Sequence, residues 1–177
     1  MMIDDPIETA RLQLRHLTEA DVTESYLSWL NDPEVLRYLE VRFSKVGGLE
    51  ELGSFVKTVN DSTDTVMFGI FRKDTGRHIG NIKLGPVKFE HARAEIGFLI
   101  GDRSSWGAGY ASEAIQAVAQ FGLQRLNLAK IGAGCYETNV GSMKALLKAG
   151  FQQVATIPND VVSDGVRVAS LLFAKNR

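Results

Sequence analysis

Apolar and polar positions alternate through residues 8–17 (ETARLQLRHL), with Leu12 and Leu14 on one face, and this predicts a strand. The period then lengthens. Thr18-Glu19-Ala20-Asp21 predicts a helix start through a capping box in which Asp replaces the usual Glu, followed by Val22, Tyr26, Leu27, Trp29 and Leu30. Asn31-Asp32-Pro33 interrupts that helix and places Pro33 at the first position of a new short one carrying Val35, Leu36 and Leu39. Residues 40–48 (EVRFSKVGG) predict a loop with a charged end. Residues 49–60 predict a further helix, with Leu49, Leu52, Phe55, Val56 and Val59 at helical spacing.

From residue 65 the pattern changes. TVMFGIFRK (65–73), the turn residues Asp74-Thr75-Gly76 and HIGNIKLGPV (78–87) predict a hairpin, and AEIGFLIG (94–101) a third consecutive strand. Residues 110–126 predict a helix with Ala111, Ala114, Ile115, Val118 and Phe121 inward. KIGAGCY (130–136) predicts a strand, 139–150 a helix ended by Gly150, and 151–156 and 166–174 two closing strands. With no linker, repeat or low-complexity segment, the expectation is one mixed α/β domain over 1–177.

Composition adds mainly exclusions. The 177 residues are long enough for a proper core, and 45% hydrophobic with 23% charged residues argues against disorder or coiled coil. A net charge of −1 offers no electrostatic case for nucleic acid. No apolar run suggests a membrane span, and the acidic start MMIDDPIETARLQL has no signal-peptide core, so a cytoplasmic protein is expected. The single Cys135 excludes an internal disulfide and any multi-cysteine metal site, and no metal is expected.

The chemistry concentrates in 94–115, AEIGFLIGDRSSWGAGYASEAI. An apolar strand runs into a Ser- and Gly-rich turn that opens onto an amphipathic helix. Gly107 and Gly109 lack Cβ atoms, so the backbone can approach a ligand closely, and the following helix aims free N–H groups and a dipole at one spot. That is a seat for a phosphate or pyrophosphate, although a plain strand–turn–helix would show the same residues. Its place after a third strand argues against a dinucleotide-binding βαβ unit, and no Walker lysine is present. The second piece is ETNVGSMKALLKAGF (137–151), where Asn139 suits a helix N-cap and Ser142 falls in the first turn, as a ligand contact or as part of the cap.

Together, WGAGYASEA, N-x-x-S and K-x-G-F, in this order and spacing, resemble the GNAT superfamily of acetyl-CoA-dependent amine acetyltransferases. The likeness runs from ETARLQLRHLTEAD to the last strand. The opening and the N-x-x-S form resemble its Rim-like branch, which acetylates protein N-termini, small amines or aminosugars. YLSWLNDPEVLRYLE (26–40), GNIKL and N-x-G-S resemble bacterial nucleotide-aminosugar acetyltransferases. The resemblance implies a GNAT fold, with a central mixed, mostly antiparallel sheet of about seven strands flanked by helices.

It also implies roles for individual positions. The pyrophosphate of coenzyme A would lie over backbone amides of Trp106, Gly107, Ala108, Gly109, Tyr110 and Ala111. Ser104 stands where the family's loop carries Gln or Arg, which weakens a side-chain contact to phosphate. The pantetheine arm would add like an extra strand between 96–100 and 130–136, with a backbone N–H of Phe98 or Leu99 holding the thioester oxygen and Asn139 orienting the arm. Glu95 matches a general-base glutamate, and burial beside Ala94 and Ile96 would raise its pKa; the same residue also fits an outward, salt-bridged strand position. His78, Glu137 and Tyr136 rank below it as bases. Many members carry a Tyr where this chain has Leu146, and Rim-like members offer a Ser at the N-x-x-S position instead, so the resemblance implies Ser142 as the donor to the leaving sulfur, as a proton donor or only as a hydrogen-bond donor or through water. Cys135 reads as a core residue. The acceptor pocket would draw on Trp29, Asn31, Arg37, Tyr38, Glu40, Arg42 and Phe43, with Arg37 and Arg42 pairing an acceptor phosphate or carboxylate or standing as ordinary solvated charges.

The function implied is transfer of acetyl from acetyl-CoA, without a metal, to a primary amine by direct attack in a ternary complex. The acceptor would be an aminosugar or other small metabolite amine, or alternatively a protein N-terminus. A coenzyme A-binding regulatory module without chemistry is the reading from another class. The partners implied are a small-molecule or peptide amine, with no nucleic acid and no membrane, and the family also admits a homodimer.

Overall fold

The computed structural model describes residues 1, 3, 5–43 and 47–177. Among these residues the sheet has eight strands in the order β1-β2-β3-β4-β5-β6-β8-β7. These are β1 (Ile7–Glu8), β2 (Leu12–Arg15), β3 (Val66–Arg72), β4 (His78–Leu84), β5 (Arg93–Ile100), β6 (Lys130–Tyr136), β7 (Gln152–Ser163) and β8 (Val166–Asn176). Every neighbouring pair is antiparallel except β5 and β6. The α-helices are α1 (Glu24–Trp29), α2 (Pro33–Leu36), α3 (Leu49–Asn60), α4 (Tyr110–Gln124) and α5 (Val140–Lys148).

Three local interactions reshape what periodicity alone predicts. The strand expected over 8–17 is two strands, because the Thr9 hydroxyl accepts from the Leu12 N–H at 2.9 Å and turns the chain. The helix expected from Thr18 begins instead at Glu24, capped by Thr23. Thr18 opens only a 3-10 turn, Glu19–Asp21, because the Asp21 carboxylate takes both the Thr18 N–H (2.7 Å) and its hydroxyl (2.8 Å). The last hairpin is longer than expected. β7 runs on through Pro158, where its register shifts and Asn159 adopts φ 54°, a bulge that an edge strand tolerates. In the expected 40–48 loop, Glu40–Phe43 form a 3-10 turn, and 44–46 lie outside the described residues.

Each sheet face carries a core. On one side α4 and α5 bury Ile115, Val118 and Leu146 against Phe68, Ile82, Ile96, Ile131 and Phe173. On the other, α1 and α3 bury Tyr26, Trp29, Leu52 and Val56 with Leu17, Met67 and Phe71. Arg15 anchors the second layer from β2, donating from both terminal nitrogens to Asp21 at 2.8 Å. Burial pushes the Asp21 carboxyl up, but Arg15 and Thr18 outweigh it and leave it at about 2, below the usual 3.8. A depressed carboxylate stabilises the fold fully above the unfolded value and loses that contribution as pH falls toward about 2. Asp21→Asn is therefore expected to remove about 2 kcal/mol at neutral pH. Urea unfolding should also show a flatter acid limb for the variant.

Candidate active site

β5 and β6 lie side by side only from Arg93↔Lys130 to Ile96↔Ala133. Beyond that point β5 follows β4, β6 follows β8, and a gap opens in the middle of the sheet. Alternation decides which backbone groups face it. Gly85 N–H donates to Glu95 O and Gly101 N–H to Ile79 O, so the odd-numbered residues of β5 bond to β4. Leu99, opposite Asn81, is among them. Of the two expected donors, only Phe98 turns its N–H to the gap, while the Leu99 side chain packs against the core cluster of α1 and α3. The Ile100 carbonyl at the top of the gap accepts the Trp106 indole N–H at 2.7 Å.

The turn after β5 places the glycines. Gly107 (φ 74°) and Gly109 (φ 83°) occupy the left-handed region, and Gly109 is the N-cap of α4. A Cβ on Gly107 would meet nothing within 4 Å, so the space beyond it is open. With no side chain capping α4, the first-turn N–H groups of Tyr110, Ala111 and Ser112 have no intrahelical partner. Ser104 does not join this seat. Its hydroxyl donates to Asp102 at 2.6 Å, and the residue is not among those lining the cleft.

α5 closes the cleft from the other side of the gap. The Asn139 side-chain oxygen accepts the Ser142 N–H at 3.0 Å, which leaves the amide NH₂ of Asn139 to face a ligand. Ser142 lines a cleft of about 530 Å³ with Phe98, Gly107, Gly109, Ala111 and Asn139. Two further lining residues, Lys144 and Lys148, escaped sequence reading, although their i, i+4 spacing on the face of Ser142's helix was visible. Lys148 Nζ comes within 3.7 Å of where a Gly109 Cβ would sit. A larger hollow of about 830 Å³ between Leu17–Val22 and α3 is lined by three carboxylates, Glu19, Glu50 and Asp61, against the single cation Lys57, a charge balance that does not suit a phosphate.

The opposite face of β5 carries Glu95, which is exposed, whereas Ala94 and Ile96 point into the α4 core. The burial expected to act on Glu95 is therefore absent. Gly97, Gly132 and Gly134 share its face, and a Cβ on any of them would come no nearer than 3.6 Å to another residue, so backbone floors this side. Tyr136 follows at the end of β6. Its phenol donates to Glu40 at 2.5 Å and accepts from Arg42 at 3.0 Å, with burial and the Glu40 carboxylate pushing the phenol up.

The other expected acceptor residues divide into three groups. Arg42 also donates to Val162 O (2.9 Å), Arg37 to Asp164 (2.5 Å) and Tyr38 to Thr138 O (3.1 Å), so the segment after α2 is strapped to the end of the β7–β8 hairpin and to the turn before α5. Both guanidiniums thus have protein partners in this structure. Trp29 is a core residue, 6% exposed, and its ring occupies the space a Cβ on Gly101 would need. Asn31 donates back to Leu27 O, and Phe43 lies exposed under Arg42. Among the lesser bases, His78 sits among Tyr26, Trp29 and Phe71 with its pKa lowered by burial, and Glu137 accepts the Ala169 N–H at 2.6 Å. Burial pushes the Cys135 thiol up to about 11, as suits a core residue.

Residues 11–152 match the acetyltransferase (GNAT) domain family. The chain is 33% identical over 162 residues to YoaA, an uncharacterized N-acetyltransferase of Bacillus subtilis, covering 90% of this chain and 89% of that protein. A GNAT-family acetyltransferase from Bacillus anthracis superposes with a TM-score of 0.82 at 23% identity, over 97% of this chain and 98% of that one. The spermidine N-acetyltransferase of Vibrio cholerae, solved with CoA and spermine, superposes with a TM-score of 0.82 at 18% identity, over 95% and 96% of the two chains.

Proposed function

The chain belongs to the GNAT acetyltransferase family, and from that premise we propose that it acetylates the primary amine of a small metabolite, aminosugars among them, with coenzyme A held in the cleft between β5 and β6. The observation that carries this reading is the gap itself. It joins two helix N-termini on one side to a backbone-floored face bearing Glu95 on the other.

The residues suit acetyl-CoA. Backbone from Trp106 to Ala111, with Gly107 and Gly109 bare, holds the pyrophosphate, and Lys144 and Lys148 add positive charge at the same end. The Asn139 amide and the free edge of Phe98 hold the pantetheine arm, with the Phe98 N–H on the acyl oxygen. When bound, acetyl-CoA supplies a thioester reactive toward a neutral amine. Glu95 takes the proton that the incoming ammonium must lose. Ser142 donates a hydrogen bond to the departing sulfur. The strap of Arg37, Tyr38 and Arg42 over the hairpin end narrows the acceptor side, which favours a small amine over a protein terminus.

Ser142→Ala should lower kcat about tenfold, the worth of one hydrogen bond of roughly 1–1.5 kcal/mol, with acetyl-CoA affinity within twofold of the parent. Unchanged turnover would exclude the donor role. The acceptor is tested by steady-state acetylation of a panel holding aminosugars, polyamines, single amino acids and N-terminal peptides. Turnover confined to the peptides would overturn the small-amine reading.

A further inference from the structure

The β1–β2 turn reaches about a hundred residues forward in sequence and grips the start of α4. Glu113, in the first turn of α4, accepts from the Thr9 hydroxyl (2.7 Å), the Arg11 N–H (2.8 Å) and Arg11 Nε (2.7 Å). The Arg11 guanidinium lies 4.5 Å over the Tyr110 ring, and its Nη1 donates to the Ala108 carbonyl at 2.9 Å. In a trans peptide the carbonyl and the following N–H point in opposite directions. Holding Ala108 O outward therefore turns Gly109 N–H the other way. The cleft lining agrees, since it includes Gly107 and Gly109 but not Ala108. Without that hold the peptide is easily inverted, because Gly109 has no Cβ to resist the rotation.

We propose that Arg11 is a positioning residue for the anion seat: it locks the Ala108–Gly109 peptide so that the Gly109 N–H stays aimed into the cleft. The inference rests on the reading that this turn holds the coenzyme A pyrophosphate. Glu113 serves the lock by orienting the guanidinium. Its own negative charge, one helical turn from the seat, is offset by the same ion pair.

The test compares donors with and without phosphates. Calorimetric titration with CoA should give a Kd about tenfold higher for Arg11→Ala than for the parent. Acetyl-CoA KM should rise in step with kcat within twofold, while kcat/KM for acetyl-pantetheine, which has no pyrophosphate, is the same in both proteins. Arg11→Lys, which keeps a cation but loses the fork joining Glu113 to Ala108, should fall between them and guards against a folding defect in the alanine variant. An unchanged CoA Kd, or equal losses with both donors, would overturn the lock. A parent enzyme that uses acetyl-pantetheine as well as acetyl-CoA would instead overturn the pyrophosphate seat itself.

Discussion

Replacing Gly107 by valine is expected to abolish coenzyme A binding and to leave the fold standing. Gly107 has φ 74°, a region in which a β-branched residue is strained by about 1–3 kcal/mol. The backbone relieves that strain by rotating, and rotation carries the neighbouring N–H groups off their target. Space does not enter the protein side of this account, because a Cβ at Gly107 meets nothing within 4 Å. It does enter the ligand side, since the isopropyl group then stands at the mouth of the cleft. CoA titration should show Kd raised at least about a hundredfold, worth roughly 2.7 kcal/mol. The thermal midpoint should drop by only a few degrees. Gly101 provides the contrast. A Cβ there would lie 2.1 Å from the Trp29 ring, so Gly101→Ala should damage folding rather than binding. Gly107→Val with unchanged CoA affinity would remove the turn from the site.

Glu95→Gln is expected to cut kcat by about 10²–10³ while CoA affinity stays as it was. The substitution keeps shape and hydrogen-bonding capacity but removes the ability to take a proton. Glu95 is exposed, so stability should move by no more than about 0.5 kcal/mol, and a kinetic loss cannot be charged to unfolding. Residue 95 sits three positions along β5 from Phe98, roughly 10 Å at strand rise, so the proposed base role requires the proton to cross through water. The loss should grow with the basicity of the acceptor: an alkyl amine near pKa 10.4 needs the base more than an α-amine near 7.7–8.0. Equal turnover of the parent and variant on both kinds of amine would exclude Glu95 as the base.

The parts of this site that can be read from the chain are those whose chemistry is local. A helix N-terminus behind two glycines, an asparagine capping α5 and a hairpin over Asp74-Thr75-Gly76 each declare themselves within a few residues. Gly76, at φ 68°, occupies the conformation that such a turn requires. The misreadings come from side chains that compete locally with the backbone. Thr9 breaks a strand that alternation alone would continue, Asp21 draws Thr18 into a turn before a helix can form, and Asp102 takes the Ser104 hydroxyl. A third kind of information is absent from any window of sequence. That Phe98 rather than Leu99 faces the gap depends on the register with β4, and that Arg11 meets Ala108 depends on where β2 lies in the sheet. Arg37 and Arg42 look free in sequence because their partners, Asp164 and Val162, are over a hundred residues away.

The divergence of β5 from β6 has a cost that most proteins avoid. Unpaired strand edges are sticky, and chains normally blunt them with charge, proline or a covering element lest they recruit another molecule. Here the exposed backbone is recessed at the bottom of a slot walled by α4, α5 and the α2 segment. Those walls stand between the edge and a second polypeptide strand, which carries side chains on both faces, while a single narrow ligand arm needs less room. On the proposed function, the fold keeps this inner edge within reach of its ligand and out of reach of other chains, protection that the exposed outer edge of β7 does not share.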